Sequence, residues 1–326
     1  MPTTIMHSNP IFFVVLMQLR RTLRGLVTVP IAVLAALCAP VAVAVDWQAV
    51  PPQELTLFHP GQVSWEWLLT PTDHPGASGI RGGSTCRTCH DGQQADLGAS
   101  LAKTDGAVTN PPPTSLTLRV QTAWDQQRFY LRASWPVRGA ADKSSRFTVM
   151  FDDGQVTEAT RAGCWGACHD DLTGMPSAAS ADIRSKYLVA SRSKVTRQGG
   201  GDNLKSPSDL ASLRAQGKFL EYWQARVSAG APPQIVDGYI LEQRHVNSQS
   251  ALDVQAKQEG GHWIVELSRP LAMDTPGRKT FATGTTYTLG FAVHQAGDAG
   301  RAHYVSFGYS LKLAPGSADL TATRIE

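Results

Sequence analysis

Four of the five cysteines fall in two compact pairs, and each pair runs directly into a histidine. The first is Cys86-Arg87-Thr88-Cys89-His90, the C-x-x-C-H spacing of c-type haem attachment. Residues three apart share a helix face, so both thiols can reach the two vinyl groups of one porphyrin. His90 then stands next to the second thiol as proximal iron ligand. The second pair, Cys164-Trp165-Gly166-Ala167-Cys168-His169, has one extra residue between its thiols. Positions four apart still share a face, and Gly166 can absorb a local distortion, so it reads as a variant site with His169 as proximal ligand. The expectation is two haem c groups. Two other readings stand beside it: a disulfide within each pair, in an oxidising compartment, or four thiolates on structural zinc. Neither calls for a histidine after the second cysteine of each pair.

The chain begins with features of export. Arg20, Arg21 and Arg24 precede an apolar run from Leu26 to Leu37, and Ala42-Val43-Ala44 has the small-x-small form of a signal-peptidase site. Residues 1–44 are expected to form a leader cleaved after Ala44, with Met17 standing where such a leader normally begins. An uncleaved anchor over Leu26 to Val45 is the alternative, since its length matches a bilayer crossing of about 20 residues. Cys38 leaves with the leader. Thioether attachment takes place outside the cytoplasm, so export and haem support one another, and a periplasmic location is expected. Beyond Ala44 no apolar run is long enough for a membrane helix. The leader holds three of the 30 Lys and Arg and none of the 27 Asp and Glu, so the remainder carries 27 of each sign. That balance, without a dense basic run, argues against nucleic acid as a partner.

Residues 45–111 are rich in Pro, Gly and His and read as a loop-rich haem c segment, ending at Asn110-Pro111-Pro112-Pro113. Beyond it the hydrophobic pattern has period two. Leu116, Leu118 and Val120 alternate with polar residues, a turn follows at Asp125 to Gln127, and Leu131, Ala133 and Trp135 alternate in turn. Further strands are expected at Arg146 to Phe151, Tyr222 to Val227, Ile235 to Arg244, Ala251 to Lys257, His262 to Ser268, Tyr287 to His294 and Tyr304 to Leu311, with Glu259-Gly260-Gly261 as a hairpin turn. The expected fold is mainly β, a β-sandwich over residues 112–326 with the second haem motif in a short helical insertion at 155–217.

Several of these segments resemble the haem-binding domain family of the ethylbenzene dehydrogenase gamma subunit and related subunits of dimethyl-sulfoxide-reductase-type molybdoenzymes. The likeness covers roughly residues 112 to 312. It rests on Ala123-Trp124 to Trp135, Phe147 to Asp153, Tyr222-Trp223-Gln224-Ala225-Arg226, Val236-Asp237-Gly238-Tyr239, Trp263 to Leu271, Gly290-Phe291-Ala292-Val293-His294 and Arg301-Ala302-His303-Tyr304-Val305-Ser306. The resemblance implies a β-sandwich gripping haem. It also implies an electron relay between a redox partner, a molybdoenzyme subunit for example, and a soluble acceptor or membrane quinol-linked cytochrome. The gamma subunits hold a non-covalent haem b through Met and Lys, whereas two attachment motifs place this chain nearer a multihaem c-type branch.

A haem that only carries electrons needs a sixth ligand, and an open position would instead suit a peroxidase, a reductase or a haem-based sensor. Among the histidines and methionines outside the leader, His74 is the first candidate for the leading haem, in a Pro/Gly segment 12 residues before Cys86. His294 and His303 bracket a loop at strand ends, and Met175 lies six residues after His169. These three are candidate distal ligands for the second haem. No nucleophile-base-oxyanion set or phosphate loop occurs, so an electron carrier or electron-transfer subunit is expected rather than a stand-alone catalyst.

Overall fold

A computed structural model describes residues 45–60, 65–104, 114–138, 144–163, 188–193, 204–295 and 303–326. The leader, Cys164 to His169 and Met175 lie outside the described residues. The protein is mainly β, and Val45–Glu326 forms one compact unit. Its strands, in chain order, are β1 (Gln53–Phe58), β2 (Ser115–Trp124), β3 (Arg128–Pro136), β4 (Ser144–Asp152), β5 (Leu220–Ser228), β6 (Gln234–Ile240), β7 (Arg244–Val246), β8 (Asp253–Glu259), β9 (His262–Pro270), β10 (Tyr287–Gln295), β11 (His303–Val305), β12 (Tyr309–Lys312), β13 (Leu320–Thr321) and β14 (Thr323–Arg324). The helices are α1 (Trp65–Leu68), α2 (Ala77–Arg81), α3 (Cys86–His90), α4 (Gln94–Thr104), α5 (Thr157–Ala162) and α6 (Pro207–Ala215).

The strands join in the order β7-β6-β5-β4-β10-β11-β1-β2-β3-β9-β8. Antiparallel pairing runs through this path, and its two halves fold over one another. Odd-numbered residues of β4, β5 and β10 (Phe147, Val149, Phe151, Trp223, Ala225, Leu289, Phe291, Val293) pack against Leu118, Val120, Phe129, Leu131, Trp135, Val265 and Leu267 of the other half. This inner core is the sandwich that period-two alternation predicts. The even-numbered residues of the same three strands point the other way. Met150, Tyr222 and Ala292, with Val305, join a second apolar cluster that also holds Ile80, Cys86, Ala159 and Ala162 from the helices. The middle strands are thereby buried on both faces.

Three expectations change in detail. Gln53–Phe58, inside the segment read as loop-rich, forms β1, which pairs along its length with β2 and touches β11 at Phe58↔Val305. The strand read as Ile235 to Arg244 is a tight hairpin, β6 and β7, closed at Ile240↔Arg244. Tyr304 to Leu311 is two strands that share one edge of β10, broken at Ser306 to Gly308. The break has a local cause: a Cβ on Gly308 would lie 2.9 Å from Thr288 Cγ2 and 3.4 Å from Gly163 Cα, so the chain must pass close to its neighbours there. The Glu259-Gly260-Gly261 turn forms as read, with φ of 57° at Gly260 and 76° at Gly261, the pair of positive values a two-residue hairpin loop requires.

Between the layers Arg269 and Glu221, both essentially inaccessible to solvent, pair at 3.0 Å. Glu221 also accepts from Trp223 Nε1 at 2.7 Å, and Arg269 lies 4.5 Å from the centre of the Phe281 ring. Burial pushes the Glu221 carboxyl up and the Arg269 guanidinium down from their ordinary values, and each partner opposes the shift of the other. Removing one member strands a buried charge. Arg269→Met is expected to destabilise the fold by about 3–5 kcal/mol in chemical denaturation, and the double variant Glu221→Gln/Arg269→Met to recover much of that loss.

Candidate functional site

Cys86, Cys89 and His90 make up a single helical turn, α3, whose start is closed by a reciprocal cap. Thr88 N donates to Thr85 Oγ1 at 3.3 Å, and Thr85 N donates to Thr88 Oγ1 at 3.1 Å. The register of Cys86-Arg87-Thr88-Cys89 is thus held by Thr85 and Thr88, one on either side of Cys86. Cys86 is buried against the second apolar cluster and Cys89 is exposed, so the pair straddles the edge between core and solvent. Burial pushes the Cys86 thiol up to about 12. Only thiolate is a good nucleophile, so Cys86 is poorly reactive once the fold is formed.

His74 comes to the same place from the preceding loop. Its backbone N–H donates to Thr70 O and its own carbonyl accepts from Ala77 N, which closes the turn into α2. The His74 and His90 ring centres are 6.2 Å apart with their planes inclined by 36°. Two imidazoles that clasp one metal ion between them, each nitrogen at about 2 Å, have ring centres about 6 Å apart. His74 Nδ1 lies 3.0 Å from Leu68 O, and His90 Nδ1 lies 3.1 Å from Gln93 Oε1. In a neutral ring an Nδ1–H donated to oxygen puts the lone pair on Nε2, the usual arrangement of a ligating histidine and its supporting acceptor. A Cβ on Gly76 would stand 2.8 Å from His74 Cε1, so a larger residue there would push this ring aside.

Arg87, between the two cysteines, fastens the turn to the C-terminal strands. Its Nη1 is 2.7 Å from Asp319, its Nη2 is 3.3 Å from Asp91, and its guanidinium lies 4.4 Å over the Tyr309 ring. Asp319 also accepts from Ser310 N at 2.8 Å and Ser310 Oγ at 2.7 Å. Burial works to raise the Asp319 carboxyl, but the Arg87 and Ser310 hydrogen bonds prevail and hold it below its ordinary value. Sequence reasoning passed over Arg87 and Asp319, since nothing in a linear reading links residues so far apart.

The chain that enters the second motif is anchored beside the first. α5 packs against α3, Arg161 donates to Ile80 O, and Ala159 and Ala162 share a cluster with Cys86. Gly163 follows with φ of 70°, and a Cβ there would fall 2.4 Å from Gly308 N, so only glycine fits one residue before Cys164. His294 and His303 are directly opposite one another across β10 and β11, both buried, with rings stacked 4.6 Å apart at 11°. Nearly parallel, stacked rings cannot both aim a ring nitrogen at one ion, so the pair can supply at most one ligand to it. Elsewhere His59 is buried at the end of β1, His245 contacts Glu242 Oε1 at 2.6 Å and stacks on Tyr239, and His262 is exposed by Gly260.

Residues 246–306, from β7 to β11, match the family model described as ethylbenzene dehydrogenase. Cytochrome c-552 of Stutzerimonas stutzeri is 32% identical over 293 residues, 86% of this chain and 90% of that protein. The chain belongs to this family of ethylbenzene dehydrogenase-type haem-binding proteins. Cytochrome c-551 of Rhodocyclus tenuis is 26% identical over 86% of this chain and 99% of its own length. A Haloferax mediterranei protein named "Putative respiratory nitrate reductase heme subunit ORF7" is 23% identical over 66% of this chain and 63% of its own. Among solved structures, a family 9 carbohydrate-binding module from Caldicellulosiruptor kristjanssonii in complex with glucose aligns with a TM-score of 0.28 at 12% identity, over 62% of this chain and 78% of that one. That likeness is too distant to carry an argument. The segment matched by the family model includes both His294 and His303, on the face of β10 and β11 that turns toward the helices.

The difference between the two thiols of α3 is open to measurement. When haem-free folded protein is treated with iodoacetamide near pH 8 and digested for mass spectrometry, Cys89 is expected to be alkylated well before Cys86. Denaturant should equalise the two.

Proposed function

We propose that this chain is an exported dihaem c-type cytochrome that passes electrons to and from a redox partner in the periplasm. The observation that carries the reading is the His74 and His90 pair, 6.2 Å apart beside two cysteines on one helical turn. Cys86 and Cys89 would hold the first porphyrin through thioether bonds, with His90 and His74 as ligands of its iron. A bound haem supplies reversible one-electron chemistry at iron, and a protein that fills both axial positions favours electron transfer over ligand activation. The residues do the rest. Leu68 O and Gln93 hold the imidazoles in one tautomer, the Arg87 to Asp319 contact keeps the helical turn in place, and Cys86 seats one edge of the ring against apolar side chains.

The second haem is assigned to Cys164 and Cys168 with His169 as proximal ligand, and its distal ligand to His294 or His303, with Met175 the remaining candidate. Packing of α5 on α3 supports two haems held close enough for direct exchange of electrons. The names of the relatives, cytochrome c-552, cytochrome c-551 and a nitrate reductase haem subunit, support haem and electron transport. The last of these and the ethylbenzene dehydrogenase match favour a redox complex, a molybdoenzyme or a quinol-linked cytochrome among its partners. The leader ending at Ala44 supports export, and among the described residues no helix is long and apolar enough to cross a membrane.

Protein produced with the cytochrome c maturation machinery is expected to gain the mass of two haems that survive denaturation, and to show low-spin spectra that carbon monoxide leaves unchanged. His74→Gly is expected to turn one of the two haems high-spin and able to bind carbon monoxide. A gain of one haem, or carbon monoxide binding by the unaltered protein, overturns this reading.

A further inference from the structure

Three charged side chains converge beside the first cysteine pair, and one of them comes from the far end of the chain. Arg87 and His90 are three residues apart on α3, so they share one of its faces. Arg87 Nη1 is 2.7 Å from Asp319 Oδ1, and its Nη2 is 3.3 Å from Asp91 Oδ2. The Arg87 side chain is only 23% exposed, so water screens this group incompletely.

Each charge is fixed in place. Asp319 Oδ2 accepts from Ser310 N at 2.8 Å and Ser310 Oγ at 2.7 Å, and Asp319 N donates back to Ser310 Oγ at 2.9 Å. That leaves Oδ1 for Arg87. Asp91 Oδ1 accepts from Gln94 Nε2 at 3.2 Å, which leaves its Oδ2 for Arg87 Nη2. The Tyr309 ring lies 4.4 Å from the guanidinium, and Tyr309 is paired with Leu289 of β10, so the sandwich itself supports the group. Against the pull of burial, the bonds from Arg87 and Ser310 keep the Asp319 carboxyl below its ordinary value, and it is charged at neutral pH.

Fastening alone does not call for this set. A neutral hydrogen-bonded pair could tie α3 to β12 without the desolvation cost that partly buried ions carry. The pairing is also incomplete, since among the described residues the buried Nε of Arg87 finds no acceptor. What ions add, and neutral groups do not, is a fixed electric field at the motif. A unit charge on the order of 10 Å from an iron, at an effective dielectric of about 20, shifts a one-electron equilibrium roughly tenfold. Partial exposure lowers that to about threefold.

From this arrangement we infer that Arg87, aimed by Asp319 as a positioning residue, sets the reduction potential of the haem bonded at Cys86 and Cys89. Residues at the C-terminal end of the chain would thus tune an electron site to which they give no ligand. The inference rests on the haem reading of the first motif alone, and needs neither the second motif nor a choice of distal ligand. Its sign follows from charge: a positive group beside the iron favours the reduced form, and a negative group favours the oxidised form.

Full-length matured protein carries the test, as Arg87→Gln, Arg87→Lys, Asp319→Asn and the double variant Arg87→Gln/Asp319→Asn. Each is read by spectroelectrochemical titration, with the haem mass measured on the peptide that contains Cys86 to His90. Arg87→Gln is expected to move one midpoint about threefold toward oxidised, and Asp319→Asn to move the same midpoint about threefold toward reduced; a tenfold change is about 59 mV for one electron. The double variant should fall between the two, and Arg87→Lys should stay nearer the parent than Arg87→Gln does. A contact that only fastens α3 is lost alike in both single variants, so shifts of the same sign in the two, or no shift in either, overturn the inference. Should Arg87→Gln not fold, Asp319→Asn decides alone: a midpoint unmoved, or moved toward oxidised, overturns it. Absence of haem mass from the Cys86 to His90 peptide of the parent overturns instead the haem reading beneath it.

Discussion

Burial of β4, β5 and β10 on both faces is the constraint from which the rest of the molecule follows. A sheet with one solvated face needs only alternating apolar residues, but here the alternate positions are also covered, by helices that come from two separate stretches of chain. The polar groups on that second face must then be paired. Asp152 does so by accepting from Gly154, Gln155, Val156 and Thr160 at the mouth of α5. Thr148 and Gln224 do so with each other.

The helical segment that carries the first cysteine pair is bound to this face through β1 rather than through its own core. β1 pairs with β2 and reaches β11, and α4 crosses so close to its end that a Cβ on Gly98 would overlap Thr114 O. The short helices α1 to α3 are too brief to be stable alone, since isolated helices need about 12–15 residues. They are held instead by the turn through His74, by Arg87 at the C-terminal strands and by Cys86 in the shared cluster.

How much of this was legible in the sequence varies with the range of the interaction. The hairpin Ser115–Pro136, the turn at Gly260 and Gly261 and the helical turn from Cys86 to His90 depend on near neighbours and were read directly. Gln53–Phe58 was missed because its flanking Pro and Gly residues signal loop, while its pairing partner is more than fifty residues away. The split between β11 and β12 was missed because its cause, the close passage of Gly163 by Gly308, is a tertiary contact. At the site, His74 could be proposed from its place before the cysteines. The stacking of His294 on His303 could not, since it follows from the strand register.

On the proposed assignment the two haem sites differ in what they demand of the fold. The first takes its cysteines and both imidazoles from residues 74–90, a local loop closed by Ala77 N on His74 O, so its ligands lie near one another along the chain whatever the sheet does. Closure of so short a loop costs little entropy. The second would join a motif after α5 to a histidine from β10 or β11, more than a hundred residues later, and those strands are placed only when the sandwich has formed. Its sixth ligand is therefore a reporter of tertiary structure, whereas that of the first is nearly a property of the local sequence. On that assignment, the Cys86 thiol, which burial pushes up, would have to react with porphyrin before the cluster closes around it.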